Sequence, residues 1–239
     1  MTEQFTDNQN DKTHISAYRR QMGAEYEKLH PEIQKRFDFS TSNNIAFVGT
    51  GTMERIWNGN KVAVFLLKIL SKSNILFPRI GENIEYEIHN YPYIDQENRE
   101  VHSMNRVFYF EDEEQRFDGT ALYSEKKNHI VEYLGLDHRM VFEMGLSAEK
   151  NGAIKFTSGR QFGFILGLQL PVPSLFRGDI ELLEWFDDEK GKFYLDLKVK
   201  SKLFGPLFGF TGWFDGQYID FKGQTIPEKF RPTRVEKRE

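Results

Sequence analysis

From about residue 82 the chain takes up a period of two. In IEYEIHNY (84–91), Ile84, Tyr86 and Ile88 alternate with Glu85, Glu87 and His89. Successive side chains of a strand point to opposite faces, so such a segment has one apolar and one wet side. Strand-like runs recur at 101–110, 116–125, 128–135, 139–149, 153–159, 179–188, 192–200 and 207–214, and 44–57 reads as a first strand ahead of them. Turn-forming residues at 95–98, 111–114, 151–152 and 187–191 separate several of them. A parallel α/β fold would need helices between the strands, and the sequence has none there. The expectation is a mainly β chain: an antiparallel barrel of about ten strands, closed or nearly closed.

Two segments break the pattern. Tyr18, Met22, Tyr26, Leu29, Ile33 and Phe37 recur every three or four residues. That is the apolar face of an N-terminal amphipathic helix or helix pair, with Pro31 as a kink or a new first turn. Arg19, Arg20, Glu27, Lys28, Glu32 and Lys35 would form its solvated side. Residues 61–71 are apolar on nearly every side, which predicts one buried helix between the first two strands. No linker interrupts residues 15–225, so these are expected to form a single β-barrel domain. Residues 1–14 read as a disordered polar tail and 226–239 as a charged C-terminal tail lying over the surface.

Composition narrows the functional classes. A net charge of −4 argues against nucleic acid as a partner, which would require a basic stripe. The absence of cysteine excludes disulfides, thiol catalysis and Cys-ligated zinc, and suits a reducing cytoplasm. The start carries no apolar signal core, and the longest apolar run, 62–70, is too short to span a bilayer. A cytoplasmic location with no direct membrane insertion is therefore expected.

Motifs of known chemistry are scarce. Gly49-Thr50-Gly51 lacks the remaining glycines and lysine of a phosphate loop and reads as relief for a strongly bent strand. The six histidines show no metal spacing; His89, His129 and His138 could meet only across strands, so neither metal nor cofactor is expected. More informative are polar residues in phase with apolar strand faces. Arg106 alternates with Met104, Phe108 and Phe110, and Glu184 with Ile180, Leu182 and Phe186. Both should point inward, where a charge needs a partner, and pairing with each other is the simplest solution. His89 and Tyr91 lie where a strand reaches Pro92, at a barrel mouth, and Asp118 shares a face with Arg116, Thr120 and Leu122. In LFGPLFGFTGWFDG (203–216), Phe208, Phe210 and Phe214 fall on one face with Gly212 between the last two. Glycine beside a large ring lets a strand coil sharply while the ring covers the backbone. His89, Tyr91, Arg106, Asp118, Glu184 and Phe210 are thus the candidate ligand-binding residues.

GTGTMERIWNG (49–59), NILFPRIGENIEYEIHNYPY (74–93), RFDGTALYSE (116–125), HIVEYLG (129–135), EWFDD (184–188) and FGPLFGFTGWF (204–214) together resemble a bacterial family known as domain of unknown function 4166. The resemblance brings no catalytic residues. It implies one complete domain in a metabolic setting, and the family's domain fusions imply an oxidoreductase-like or membrane protein as a possible partner. Three functions stay open: a barrel that binds a small apolar or aromatic molecule, an enzyme using the Arg/Glu/His cluster for acid–base chemistry, and an interaction or accessory domain. Seven rings at inward phase (Tyr86, Phe108, Phe110, Phe142, Phe156, Phe193, Phe210) beside an inward Arg and Glu favour the first. Ten strands also enclose more space than the eight that side chains can just fill, so a hollow interior is expected.

Overall fold

Every one of the ten runs forms a strand, and each strand pairs with the next in chain order until the last meets the first. The computed structural model describes residues 15–165 and 167–239. The strands are β1 (Ile45–Asn58), β2 (Gly81–Asn90), β3 (Pro92–Ile94), β4 (Glu100–Tyr109), β5 (Glu114–Ser124) and β6 (His129–Leu134). They continue with β7 (Met140–Ala148), β8 (Ile154–Ile165), β9 (Leu168–Pro171), β10 (Asp179–Asp187), β11 (Lys192–Ser201) and β12 (Gly205–Asp220). Short β3 and β9 pair with β4 and β8 outside the main circuit. The other ten form a closed up-and-down antiparallel barrel, with β8 joined to β10 and β12 to β1. Closure leaves no unpaired edge within the circuit.

The turns follow local chemistry. Between β10 and β11, Asp187 Oδ1 accepts from the Glu189 and Lys190 amides, and Gly191 takes the left-handed φ of 63° that returns the chain. The glycine-rich β12 runs tightly against β1. A Cβ at Gly51 would overlap the Trp213 carbonyl oxygen. Gly209 lies opposite Trp57, whose indole occupies the space a side chain would need. This is the ring-over-glycine construction expected for a strongly coiled wall. Trp213 faces outward, with Lys192 Nζ 3.3 Å from its ring centre.

Both barrel ends are closed by the chain segments that flank β1. At one end lie α1 (Ala17–Met22), a 3-10 turn (Gly23–Lys28) and α2 (Pro31–Arg36). Ser16 caps α1, and Pro31 opens α2 beneath a His30 Nδ1 cap on the Glu32 amide. The apolar stripe Tyr18, Tyr26, Ile33 and Phe37 enters the core, and Arg19 and Glu27 pair at 2.6 Å on the solvated side. At the other end sits α3 (Lys61–Leu70), capped by Asn60, followed by Ile75–Phe77. Phe77 packs 4.8 Å from Phe108 and 5.0 Å from Phe208. α3 is less enclosed than its all-round apolar sequence predicts. Ala63 and Leu67 are buried, but Val62, Phe65 and Ile69 face outward, because a helix laid across a barrel end can bury only one side.

The C-terminal stretch is anchored rather than loosely laid. Phe221, Ile226 and Phe230 are buried on the outer face of β1, β2 and β4, against Ala46, Tyr91 and Val107. The sequence reading of residues 1–14 lies outside the described residues. No described helix is long and apolar enough to cross a membrane, which says nothing about strands.

Candidate functional site

The six sequence candidates divide between the two sides of the barrel wall. Arg106, Glu184 and Phe210 are buried inside, and Phe210 packs 5.2 Å from Phe108. His89, Tyr91 and Asp118 alternate to the outer face, so they share no site with the inner three. His89 meets Glu87 Oε2 at 3.0 Å through Nε2 and Tyr91 Oη at 3.2 Å through Nδ1, beneath the Phe230 ring. Burial lowers its pKa although Glu87 opposes the shift. Asp118 accepts from Asn105 Nδ2 at 2.8 Å and Asn74 Nδ2 at 2.9 Å and pairs with Arg116 at 3.0 Å. Burial raises its pKa, and Arg116 opposes that rise. These outer contacts tie the C-terminal stretch and the loop after α3 to the wall. His89, His129 and His138 do not meet: His129 approaches Glu143 at 3.9 Å, and His138 stacks on Tyr133.

Inside, the charges pair differently from the sequence expectation. The partner of Glu184 is Arg36 of α2, with Nε and Oε1 3.3 Å apart. Among the described residues no ion pair joins Arg106 to Glu184, although Arg106 acts on it electrostatically. Burial raises the Glu184 pKa, and Arg36, then Arg106, counter the rise. The Arg36 guanidinium sits among phenyl rings, 4.2 Å from the centre of Phe47, 5.1 Å from Phe37 and 5.4 Å from Phe39. No guanidinium nitrogen of Arg36 has a hydrogen-bond partner among the described residues, so ring faces and one carboxylate compensate its charge. Arg106 lies over Phe117 and close to Glu132, whose pKa burial pushes up to about 7 against the opposing charge of Arg106. Tyr18 Oη and His102 Nε2 share a hydrogen bond of 2.7 Å, and burial holds that histidine neutral, with a pKa near 3. Arg36, Glu132 and His102 were missed as interior charges or polar groups. The available signal for Arg36 was its place beside Phe37, three residues after Ile33 on the apolar helix stripe.

The middle of the barrel is filled rather than hollow. Beside Arg106, Glu132, Phe142 and Phe156 there is a space of about 20 Å³, room for a single water. The extra width of ten strands is occupied from the two ends, by Tyr18, Arg36 and Phe37 on one side and Phe77 on the other. A larger apolar cavity, about 210 Å³, lies in the α3 end of the barrel, between α3 and inward-facing core residues such as Leu134, Phe142 and Val199. Its walls come from Leu66 and Leu70 of α3, Met140, Val172, Ile180 and Leu207, with Gln161 among few polar groups. The Gln161 amide is already committed to the Gly178 carbonyl at 2.7 Å. Two wider clefts, about 750 and 610 Å³, run along the C-terminal stretch and are lined by many charged or polar groups, such as Arg99, Glu100 and Arg238 in the first.

Residues 29–214 match the profile of the family described as domain of unknown function 4166 (DUF4166). The chain belongs to the DUF4166 family. An uncharacterized protein of Bacillus subtilis (strain 168), YndH, is 32% identical over 189 residues, covering 79% of this chain and 91% of that relative. The DUF4166 region runs from just before α2 into β12. It therefore contains Arg36, Arg106, Glu184 and the whole apolar cavity, and excludes α1 and the anchoring Phe230.

Proposed function

We propose that this DUF4166 domain binds a small apolar or aromatic molecule, and that the molecule sits beneath α3 in the end of the barrel rather than at its centre. The observation that carries the reading is the 210 Å³ cavity with almost wholly aliphatic and aromatic walls. Its volume exceeds the roughly 150 Å³ that suffices for benzene, so a one- or two-ring aromatic or a short acyl segment is the appropriate size class. The interior Arg36–Glu184 pair supports the barrel from within. Acid–base chemistry there would require a substrate to reach carboxylates beside a space that holds one water.

The test is a fluorescence titration of native protein with 1-aminonaphthalene, with native mass spectrometry of fresh material. Saturable binding is expected. Val172→Trp, which fills the cavity, should remove it without a large change in melting temperature. Glu184→Gln should leave the affinity of the remaining folded protein intact. Absence of saturable binding, or binding indifferent to Val172→Trp, would refute the reading.

A further inference from the structure

We propose that the rim around α3 at one barrel end docks on an anionic lipid surface, with the barrel tilted so that this side of the end meets the bilayer. This rests on surface charge and exposure, and it holds whether or not the cavity takes a ligand.

Three segments converge at that end. Asn60 Nδ2 donates to the Phe204 carbonyl at 3.2 Å, and the Gly59 amide donates to the Leu207 carbonyl at 3.0 Å. The Leu203 amide donates to the Leu175 carbonyl at 3.2 Å, and the Phe176 and Phe204 rings lie 6.3 Å apart. α3, the 172–178 loop and the 201–205 turn thus form one rim. The rim exposes large apolar side chains: Phe65 is 62% exposed, Phe176 53%, Ile69 51% and Leu203 48%. A soluble surface ordinarily keeps such residues scattered, and here they cluster around a cavity mouth.

The charge of these three segments has one sign; the acidic turn between β4 and β5 (111–114) lies across the same barrel end from them, so the basic surface is the rim and not the whole end. Segments 59–78, 167–178 and 199–209 contain Lys61, Lys68, Lys72, Arg177, Lys200 and Lys202 and not one Asp or Glu, in a chain of net charge −4. Lys61, Lys68, Lys72 and Lys202 are exposed and make no ion pair among the described residues. An apolar protein partner would need no such cations, and a polyanion such as nucleic acid would gain nothing from Phe65 and Phe176. Apolar side chains flanked by lysines suit the headgroup–acyl boundary of an anionic bilayer. The eight apolar residues from Val62 to Leu70, interrupted only by Lys68, are too few to span, but a helix lying in the interface plane needs no span. The contact is peripheral and reversible, and it places the cavity mouth where lipid-soluble molecules partition.

The experiment is vesicle flotation of the full chain. Vesicles of phosphatidylglycerol and phosphatidylethanolamine should carry the protein at low salt, and pure phosphatidylcholine vesicles should not. Each lysine near an anionic surface contributes about a fivefold change in partition, so Lys61→Gln/Lys68→Gln/Lys72→Gln should weaken binding roughly a hundredfold. Phe65→Glu with Phe176→Glu should abolish it, while Lys126→Glu, at the opposite barrel end, should leave anionic-vesicle binding in place. Melting curves confirm that each variant folds. No flotation with anionic vesicles at low salt, or flotation unchanged by the triple lysine variant, overturns the proposal. So does a concentration-dependent dimer dispersed by Phe65→Glu, which would assign the rim to a second copy of this chain. Retained flotation with Val172→Trp, in protein that no longer binds 1-aminonaphthalene, separates docking from ligand uptake.

Discussion

The Arg36–Glu184 pair permits the sharpest energetic test of the barrel interior. Both groups are buried, 3.3 Å apart, and among the described residues neither has a second close ion-pair partner. Glu184→Gln leaves Arg36 and Arg106 charged in the core with one compensating carboxylate fewer. Breaking a buried pair from one side costs about 3–5 kcal/mol. For a domain of this size, 1 kcal/mol moves the midpoint by about 2–4 °C, so a drop of roughly 10 °C is expected. Arg36→Met should cost a similar amount, because it leaves Glu184 unpaired while its methylene chain still meets the Phe47 ring. The double variant removes both charges and should cost clearly less than the sum, with a coupling of about 2 kcal/mol or more. The Arg106→Met/Glu184→Gln cycle should show a smaller coupling, since those groups interact only through space. Urea unfolding monitored by tryptophan fluorescence measures all four corners of each cycle. Additivity of Arg36→Met and Glu184→Gln within about 0.5 kcal/mol would refute the pairing, as would a larger coupling for Arg106.

Three further outcomes follow from other parts of the molecule. Glu132, raised by burial from 4.5 to about 7, holds a proton in the folded state that the unfolded chain has already released above pH 4.5. Its contribution is therefore fully present below about pH 4.5 and is lost as pH rises to about 7, a loss of about 3 kcal/mol; the difference between wild type and Glu132→Gln unfolding across that window should show this slope, and a flat difference would contradict it. Phe230→Ala should cost about 3 kcal/mol by emptying the anchor beneath the C-terminal stretch, read as a lowered urea midpoint; a neutral result would mean that the stretch does not dock. Gly51→Val should destabilise by about 3 kcal/mol or more, because its side chain must displace the Trp213 backbone across the β1–β12 seam, and an unchanged melt would mean that the seam is open.

The sequence alone determined the barrel. Side-chain alternation is a local property of extended chain, so the ten runs, several of their turns and an antiparallel barrel, closed or nearly closed, were legible from residue types along one dimension. The same period placed Arg106, Glu184 and Phe210 inside, and the glycine–aromatic stretch announced a tightly coiled wall. Partner choice was not legible, because it depends on which segments converge from far along the chain. Arg36 reaches Glu184 across 148 positions only once α2 closes the barrel end. That same plug, with Phe77 from the other end, fills the width that ten strands open, which strand count could not reveal. Phase also could not say that His89 and Tyr91 lie beneath a returning C-terminus and Asp118 beneath the loop after α3, since a wet strand face looks the same whether water or chain covers it. Nor could apolar content alone decide how much of α3 is buried: a barrel end has a single surface, and it leaves Val62, Phe65 and Ile69 outside.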